Sequence, residues 1–274
     1  MLKHRVITAI ILLALFLSAL FLLPDPAWGI LILVIVMQGT SEWSRLAGMS
    51  ARTANIYWWL TLVVMGGIVW MDVGPTLTLH PVPHLLVYWI SALLWLLVVP
   101  LWLLLGWQVR HPLLLALAGW ALLIPTGLAM LDLRDNSPWL LLGIMMLVWV
   151  ADCAAYFSGR AYGKHKMAPK ISPGKTWEGV AGALAAVSIC VLVGFLFSGY
   201  AHLYKFLPTI ILAAWCWVAL AVLGDLFESA IKRQAGVKDS GALLPGHGGL
   251  LDRIDALTST LPLAALAMLS QKLA

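Results

Sequence analysis

The chain predicts an all-α polytopic membrane protein of about nine transmembrane helices, with a polar active site at their cytoplasmic side. Three observations predict it. The 274 residues are 62% hydrophobic and only 11% charged, with a mean hydropathy of +0.95, whereas a soluble domain carries roughly 25% charged residues. Apolar runs of about 20 residues, the length that crosses a bilayer as a helix, recur from end to end and leave no separate soluble domain. Basic residues alternate between successive connections, 14 of the 17 falling on one side: Lys3, Arg5, Arg45, Arg52, Arg110, Arg160, Lys164, Lys166, Lys170, Lys175, Lys232, Arg233, Lys238 and Arg253. The positive-inside rule then puts the N-terminus in the cytoplasm and the C-terminus in the periplasm.

The first span, 6–23, follows Lys3-His4-Arg5 in the outline of a signal peptide. Its apolar run is long, however, and Pro24-Asp25-Pro26 follows in place of a small-residue cleavage site, so an uncleaved span is expected. Spans at 27–44, 55–71, 84–105 and 112–131 complete an N-terminal transmembrane region, 1–131. Spans at 138–158, 179–198, 207–228 and 255–272 form a C-terminal catalytic region, 132–274. Gly179, Gly182, Ala183 and Ala186 in the seventh span permit close helix approach, within one protomer or across a homodimer. Trp28, Trp70, Trp107 and Trp139 fall near span ends, where an amphipathic ring suits the interface; Trp95, Trp215 and Trp217 suit packing. Cys153, Cys190 and Cys216 lie in apolar segments without C-x-x-C spacing and read as packing residues. No basic stripe or recognition module suggests nucleic acid. No internal repeat supports a transporter built on inverted repeats.

Hydrophobic packing does not explain the run from Ser229 to Asp255. Seven of the chain's 29 charged side chains lie in it: Lys232, Arg233, Lys238, Asp239, Asp252, Arg253 and Asp255. His247 stands among five glycines (Gly236, Gly241, Gly246, Gly248 and Gly249) that let backbone approach a ligand. Cations, carboxylates and a glycine-rich turn are what a polyphosphate and its divalent metal require. Just upstream, Asp225, Glu228, Ser229 and Lys232 share one helical face. A carboxylate inside the hydrocarbon costs about 2.5–3.5 kcal/mol, so Asp225 is expected to line a site. Asp252 and Asp255 open the last span, where one acid alone would satisfy the helix dipole. A divalent cation explains the pair better, and Asp225 with Asp252 are the expected Mg²⁺ ligands.

A second polar block runs from Asp152 to Glu178. Asp152, Tyr156, Gly159 and Arg160 share a face, with Asp152 about 9 Å inside a span ending near Ser158. Gly174-Lys175-Thr176 echoes a P-loop, but Pro169 replaces its first glycine and no strand is expected before it. Ser172-Pro173-Gly174 is expected to turn and deliver Lys175 to phosphate at the seventh span's N-terminus. His165, His80, His84 and His202 receive no role.

The Ser229–Asp255 run, with Ser229, Lys232-Arg233, Lys238-Asp239, His247-Gly248-Gly249 and Asp252-Arg253-Ile254-Asp255, resembles in full the signature of phosphatidate cytidylyltransferases, or CDP-diacylglycerol synthases. Asp152, Tyr156, Arg160 and Ser172–Glu178 are similar to that family too, as are the length and the basic start of its bacterial inner-membrane members. The convincing resemblance covers about residues 140–274. It implies that CTP and phosphatidic acid give CDP-diacylglycerol and pyrophosphate at the cytoplasmic headgroup level of the lipid bilayer. On that reading Lys232, Arg233, Lys238 and Arg253 bind phosphates, with His247 beside them. Asp239 and Asp255 support the metal, as ligands or as acceptors behind them. Asp152, Tyr156, Arg160, Ser172, Lys175 and Ser229 bind substrate. A phosphate monoester is already a nucleophile at neutral pH, its second pKa being about 6. No Ser or Cys nucleophile is needed. A CTP-dependent lipid kinase and a transporter are the alternatives.

Overall fold

The structure, a computed structural model, describes residues 2–73, 81–197, 201–243 and 248–273. Ten α-helices follow in order among them: α1 (Leu2–Leu22), α2 (Asp25–Leu46), α3 (Ala51–Val73), α4 (Pro81–Leu93), α5 (Val99–Leu105), α6 (Pro112–Asn136), α7 (Pro138–Tyr162), α8 (Trp177–Phe197), α9 (Leu207–Gln234) and α10 (Leu251–Leu273). Proline stands in the first turn of α2, α5, α6, α7 and α9, where its missing N–H costs nothing. A π-helical turn, Leu94–Val98, joins α4 to α5. Pro100 explains it: the ring removes the N–H that would bond Leu96, and a wider turn absorbs the lost bond.

Taken with that join, the described residues hold a helix at each of the nine expected positions. Six segments are long and apolar enough to cross a membrane: Ala51–Asp72, Pro83–Leu105, Pro112–Asn136, Pro138–Tyr162, Trp177–Phe197 and Tyr204–Gln234. The chain is thus an all-α membrane protein, with one small exception to "all-α". Lys166–Ala168 (β1) and Ser172–Thr176 (β2) pair as an antiparallel hairpin, Lys166 opposite Thr176 and Ala168 opposite Ser172.

That hairpin corrects two expectations. Ser172-Pro173-Gly174 is not the turn; Pro169-Lys170-Ile171 is, closed by Ile171 N–H donating to the Ala168 carbonyl at 3.1 Å. A strand does precede Gly174-Lys175-Thr176, but the triplet lies in the paired strand β2 and not in a phosphate-cradling loop, so the P-loop remains excluded. Thr176 then caps α8, its Oγ1 accepting from Gly179 N–H at 3.1 Å.

Helix α6 is the centre of the bundle, two thirds of its span being buried (67%). Around it α2, α4, α7 and α10 close a core that includes Trp28, Trp43, Tyr88, Trp95, Leu128 and Leu133 and draws on both sides of residue 131. A smaller core of Ala151, Ala183, Val187, Ala214 and Val218 joins α7, α8 and α9. The small-residue face of α8 is used here, within the chain: a Cβ on Gly182 would fall 2.0 Å from Ser158 Oγ.

Trp28 is not an interface residue. It is buried, donates from Nε1 to the Met130 carbonyl at 3.3 Å and lies under the Arg134 guanidinium. Trp70, Trp107 and Trp139 are exposed, and so is Trp215, whose indole bonds Ser188 Oγ. The three cysteines are free, Cys153 and Cys216 being exposed instead of packed.

Candidate active site

The polar residues gather at one end of the bundle, where α2, α7 and α9 finish and α8 and α10 begin. Helix α9 runs through Gln234 without a break, so Asp225, Glu228, Ser229 and Lys232 do share a face. Asp225 Oδ1 accepts from Ser229 Oγ at 3.3 Å, and Lys232 lies 3.5 Å from Glu228. Gly224 sets how closely this face meets α10: a Cβ there would fall 2.5 Å from the Asp255 carbonyl oxygen and 2.7 Å from Ser259 Oγ. With no Cβ in the way, Asp225 and Asp255 become electrostatic neighbours, and Asp152 of α7 joins both. Lys175 crosses from β2 to this group, 2.8 Å from Asp225 Oδ2, and also donates to the Val222 carbonyl at 3.3 Å. Three acids from three helices therefore face one ammonium from the hairpin.

Glu228 is the sharper anomaly. It is 3% exposed, and among the described residues neither carboxylate oxygen has a hydrogen-bond partner, the Lys232 ammonium standing 3.5 Å from Oε1. Its neighbour across the helix contact is another acid, Asp255, and those two can bond only if one carries a proton. Burying a carboxylate without donors is costly. Hard, anionic oxygens next to Asp255 and Asp252 suit a small divalent cation, although among the described residues no three His, Cys, Asp or Glu side chains form a metal-binding group by themselves.

Asp252 adjoins this group through Lys232, which it shares with Glu228, and has partners on both oxygens. Oδ1 meets Lys232 Nζ at 2.5 Å. Oδ2 accepts from Ser240 N–H at 2.9 Å, Ser240 Oγ at 3.0 Å and Gly249 N–H at 2.8 Å. The expected Asp225–Asp252 pair is thus divided between two lysines, and half of the Asp252 carboxylate is spent on holding the loop before α10. Gly249 serves the same inner contact. A Cβ on it would lie 2.2 Å from Ser240 Oγ and 2.4 Å from Glu42 Oε2.

Glu42 is the residue that sequence reasoning leaves out. It is wholly buried at the end of α2, 0% exposed. Its Oε1 accepts from Leu250 N–H at 2.9 Å and Gln38 Nε2 at 3.0 Å, and its Oε2 from Leu251 N–H and Ser240 Oγ, each at 2.9 Å. The signal existed: an acid inside an apolar span, the argument that singled out Asp225. Only its partners, some two hundred residues away, were hidden.

The remaining expected residues divide. Arg233 points away from Lys232 and ties α9 to the hairpin, donating from Nε to the Ile171 carbonyl and from NH1 to the Val237 carbonyl, each at 3.2 Å. Ser172 opens β2 next to that contact. Lys238, Asp239 and Arg253 are exposed at the rim. Arg160 donates to Tyr156 Oη at 3.1 Å, as expected for one face of α7. Asp152 lies ten residues before the end of α7 at Tyr162, about 15 Å at 1.5 Å per residue and deeper than the expected 9 Å. His165 is exposed, as expected, and from the surface pairs with Glu178 at 2.6 Å, which ties the hairpin to α8. His247 lies outside the described residues.

A family model described as "Cytidylyltransferase family" matches residues 3–270. The chain is 40% identical over 272 residues to the phosphatidate cytidylyltransferase of Pseudomonas aeruginosa, covering 97% of this chain and 96% of that one. It is 37% identical over 284 residues to that of Haemophilus influenzae, with 96% of each chain covered. A third relative, the phosphatidate cytidylyltransferase of Rickettsia bellii, is 38% identical over 163 residues, 57% of this chain and 71% of that one.

Proposed function

This chain belongs to the cytidylyltransferase family, and from that premise we propose that it transfers the cytidylyl group of CTP to phosphatidic acid, giving CDP-diacylglycerol and pyrophosphate. The observation that carries the reading is the meeting of Asp152, Asp225 and Asp255 around Lys175, with the buried Glu228 behind Asp255. Acids crowded in this way and answered by lysines suit two anionic reactants and a metal, and little else.

The lipid phosphate attacks the α-phosphorus of CTP, forming the new P–O bond as the bond to the leaving pyrophosphate breaks. Both reactants are anions, so positioning and charge neutralisation supply most of the acceleration. Lys232, buried, and Lys175, half-buried, hold phosphate oxygens. Arg233, Lys238 and Arg253 at the rim draw the triphosphate in from water. Arg233 also stiffens the hairpin that carries Lys175. Asp225 and Asp252 would hold Mg²⁺, with Asp255 as the acid next to Asp225; Asp225 and Asp252 each carry a lysine for which the incoming phosphates compete. When bound, the ion neutralises the charge that builds on the phosphates in the transition state.

The nine helical segments span the inner membrane, with the site at the cytoplasmic end, the N-terminus inside and the C-terminus in the periplasm. CTP then comes from water while the lipid arrives sideways. Incubation of purified protein with phosphatidic acid and CTP labelled at the α or γ position tests the reaction. The α label is expected in lipid with one pyrophosphate released per turnover. A γ label in lipid, the mark of a lipid kinase, or unchanged CTP, the mark of a transporter, would overturn it.

A further inference from the structure

We propose that Glu42 is a positioning residue of the reaction, which makes the N-terminal half of the chain part of the active site; the inference rests on the cytidylyl-transfer reading. The first amides of a helix have no partner within it. In α10 the Leu250 and Leu251 N–H groups instead donate to the two oxygens of Glu42, each at 2.9 Å. A side chain of α2 thus caps a helix 208 residues further on, with a charge that suits a helix N-terminus.

Two acids share the capping. Glu42 takes Leu250 and Leu251, and Asp252 takes Gly249 and Ser240 through their backbone N–H groups. The Ser240 hydroxyl joins them, 2.9 Å from Glu42 and 3.0 Å from Asp252. It has one proton for two acceptors, so the loop from α9 is strapped between α2 and α10 by a bond that serves either acid. Asp252 and Asp255 stand in the first two turns of α10, and their place against Lys232 and Asp225 follows from where that helix begins. The Glu42 carboxylate is buried and its four contacts are all internal, so it reaches neither substrate.

Glu42 itself is held rigidly. Its neighbour Trp43 donates from Nε1 to the Leu115 carbonyl at 2.7 Å and stacks on Phe227 of α9 at 6.3 Å. One turn of α2 therefore grips α6, α9 and α10 together.

Glu42→Gln keeps the shape but puts an NH₂ where a carboxylate oxygen faces N–H donors. Turnover per folded molecule is expected to fall about 30-fold, within the range for lost preorganisation, while KM for CTP and for phosphatidic acid stays within about threefold, because the contact is not made to substrate. The Mg²⁺ concentration for half-maximal rate is expected to rise about tenfold, as for a residue supporting a metal ligand. A role confined to fold stability would lower the amount of folded enzyme and leave all three values unchanged. If Glu42→Gln does not accumulate in membranes, Gln38→Met and Ser240→Ala each remove one bond to the carboxylate and leave it in place. Each is expected to reduce turnover about threefold, since one bond of this kind is worth about that factor. Wild-type turnover and Mg²⁺ dependence per folded molecule in these variants would overturn the inference. Wild-type enzyme that forms no CDP-lipid would overturn the underlying reading instead.

Discussion

Lys175 Nζ lies 2.8 Å from Asp225 Oδ2, joining a hairpin arm to the polar face of α9. It is the cation that answers Asp152 and Asp255 as well. Lys175→Met leaves these acids facing one another, and turnover is expected to fall about 10²-fold, the usual loss on removing one charged group from a transition-state clamp. Adding Asp225→Asn is expected to cost little more, because partners in one interaction are not additive. A double mutant whose loss equals the product of the single losses would show that the two act separately.

Asp225→Asn and Asp252→Asn should differ in kind. On the proposed reading both remove a carboxylate from the metal, and each is expected to lose at least about 10²-fold in rate, with chelation of Mg²⁺ stopping the wild type and added Mg²⁺ restoring it. Only Asp252 also accepts from Ser240 and Gly249, so only its variant should open the loop before α10. Limited proteolysis near residues 235–243 reads that difference; equal protection of both variants would argue against the anchoring role.

Gly224→Ala places a methyl 2.5 Å from the Asp255 carbonyl. Separating α9 from α10 is expected to cost about 1–3 kcal/mol of stability, as overpacking does, and to reduce turnover about 10²-fold by misplacing Asp225 against Asp255. Gly66→Ala is the control, since nothing lies within 4 Å of a Cβ there. Activity profiles and thermal midpoints that match between the two variants would remove Gly224 from the site.

The opposite end of the bundle holds a buried polar knot with no expected part in turnover. Asp132 accepts from Tyr88 Oη at 2.6 Å and pairs with His84 Nδ1 at 3.0 Å. Asp132→Leu strands both partners, and each stranded group is expected to cost about 1–3 kcal/mol. The thermal midpoint should fall while turnover per folded molecule stays at the wild-type level.

Topology is open to single-cysteine labelling in a background lacking the native cysteines. Lys170→Cys and Lys238→Cys, both exposed at the site end, are expected to react with an impermeant reagent only from the cytoplasmic side. Gln271→Cys is expected to react only from the periplasmic side. Reaction of all three from one side would remove the nine-span arrangement.

The helices were legible because a membrane span declares itself locally, in about 20 consecutive apolar residues; each expected position holds a helix, and six of the segments are long and apolar enough to cross a membrane. The errors lie where tertiary contacts override local pattern. The end of α7 extends to Tyr162 because Arg160 and Tyr156 continue its face. The hairpin forms because β2 pairs with β1 and leads into the Thr176 cap of α8, an arrangement that Ser172-Pro173-Gly174 does not announce. Trp28 looked interfacial from its place at a span end and is core because Met130 and Arg134 close over it.

By itself the sequence determined the chemistry of the site. Residue type and spacing put acids and cations on the faces of α7, α9 and α10, since the 3.6-residue period ties position to direction. What only the tertiary structure decided is which charge answers which. Lys175 meets Asp225, and Lys232 meets Asp252 at 2.5 Å but Glu228 at 3.5 Å, pairings that depend on the separation of helices and on Gly224 lacking a side chain. Glu42 depends on it most of all. An acid on α2 becomes the cap of α10 because free amides inside a bundle must find an acceptor, and the one that reaches them comes from the far end of the chain.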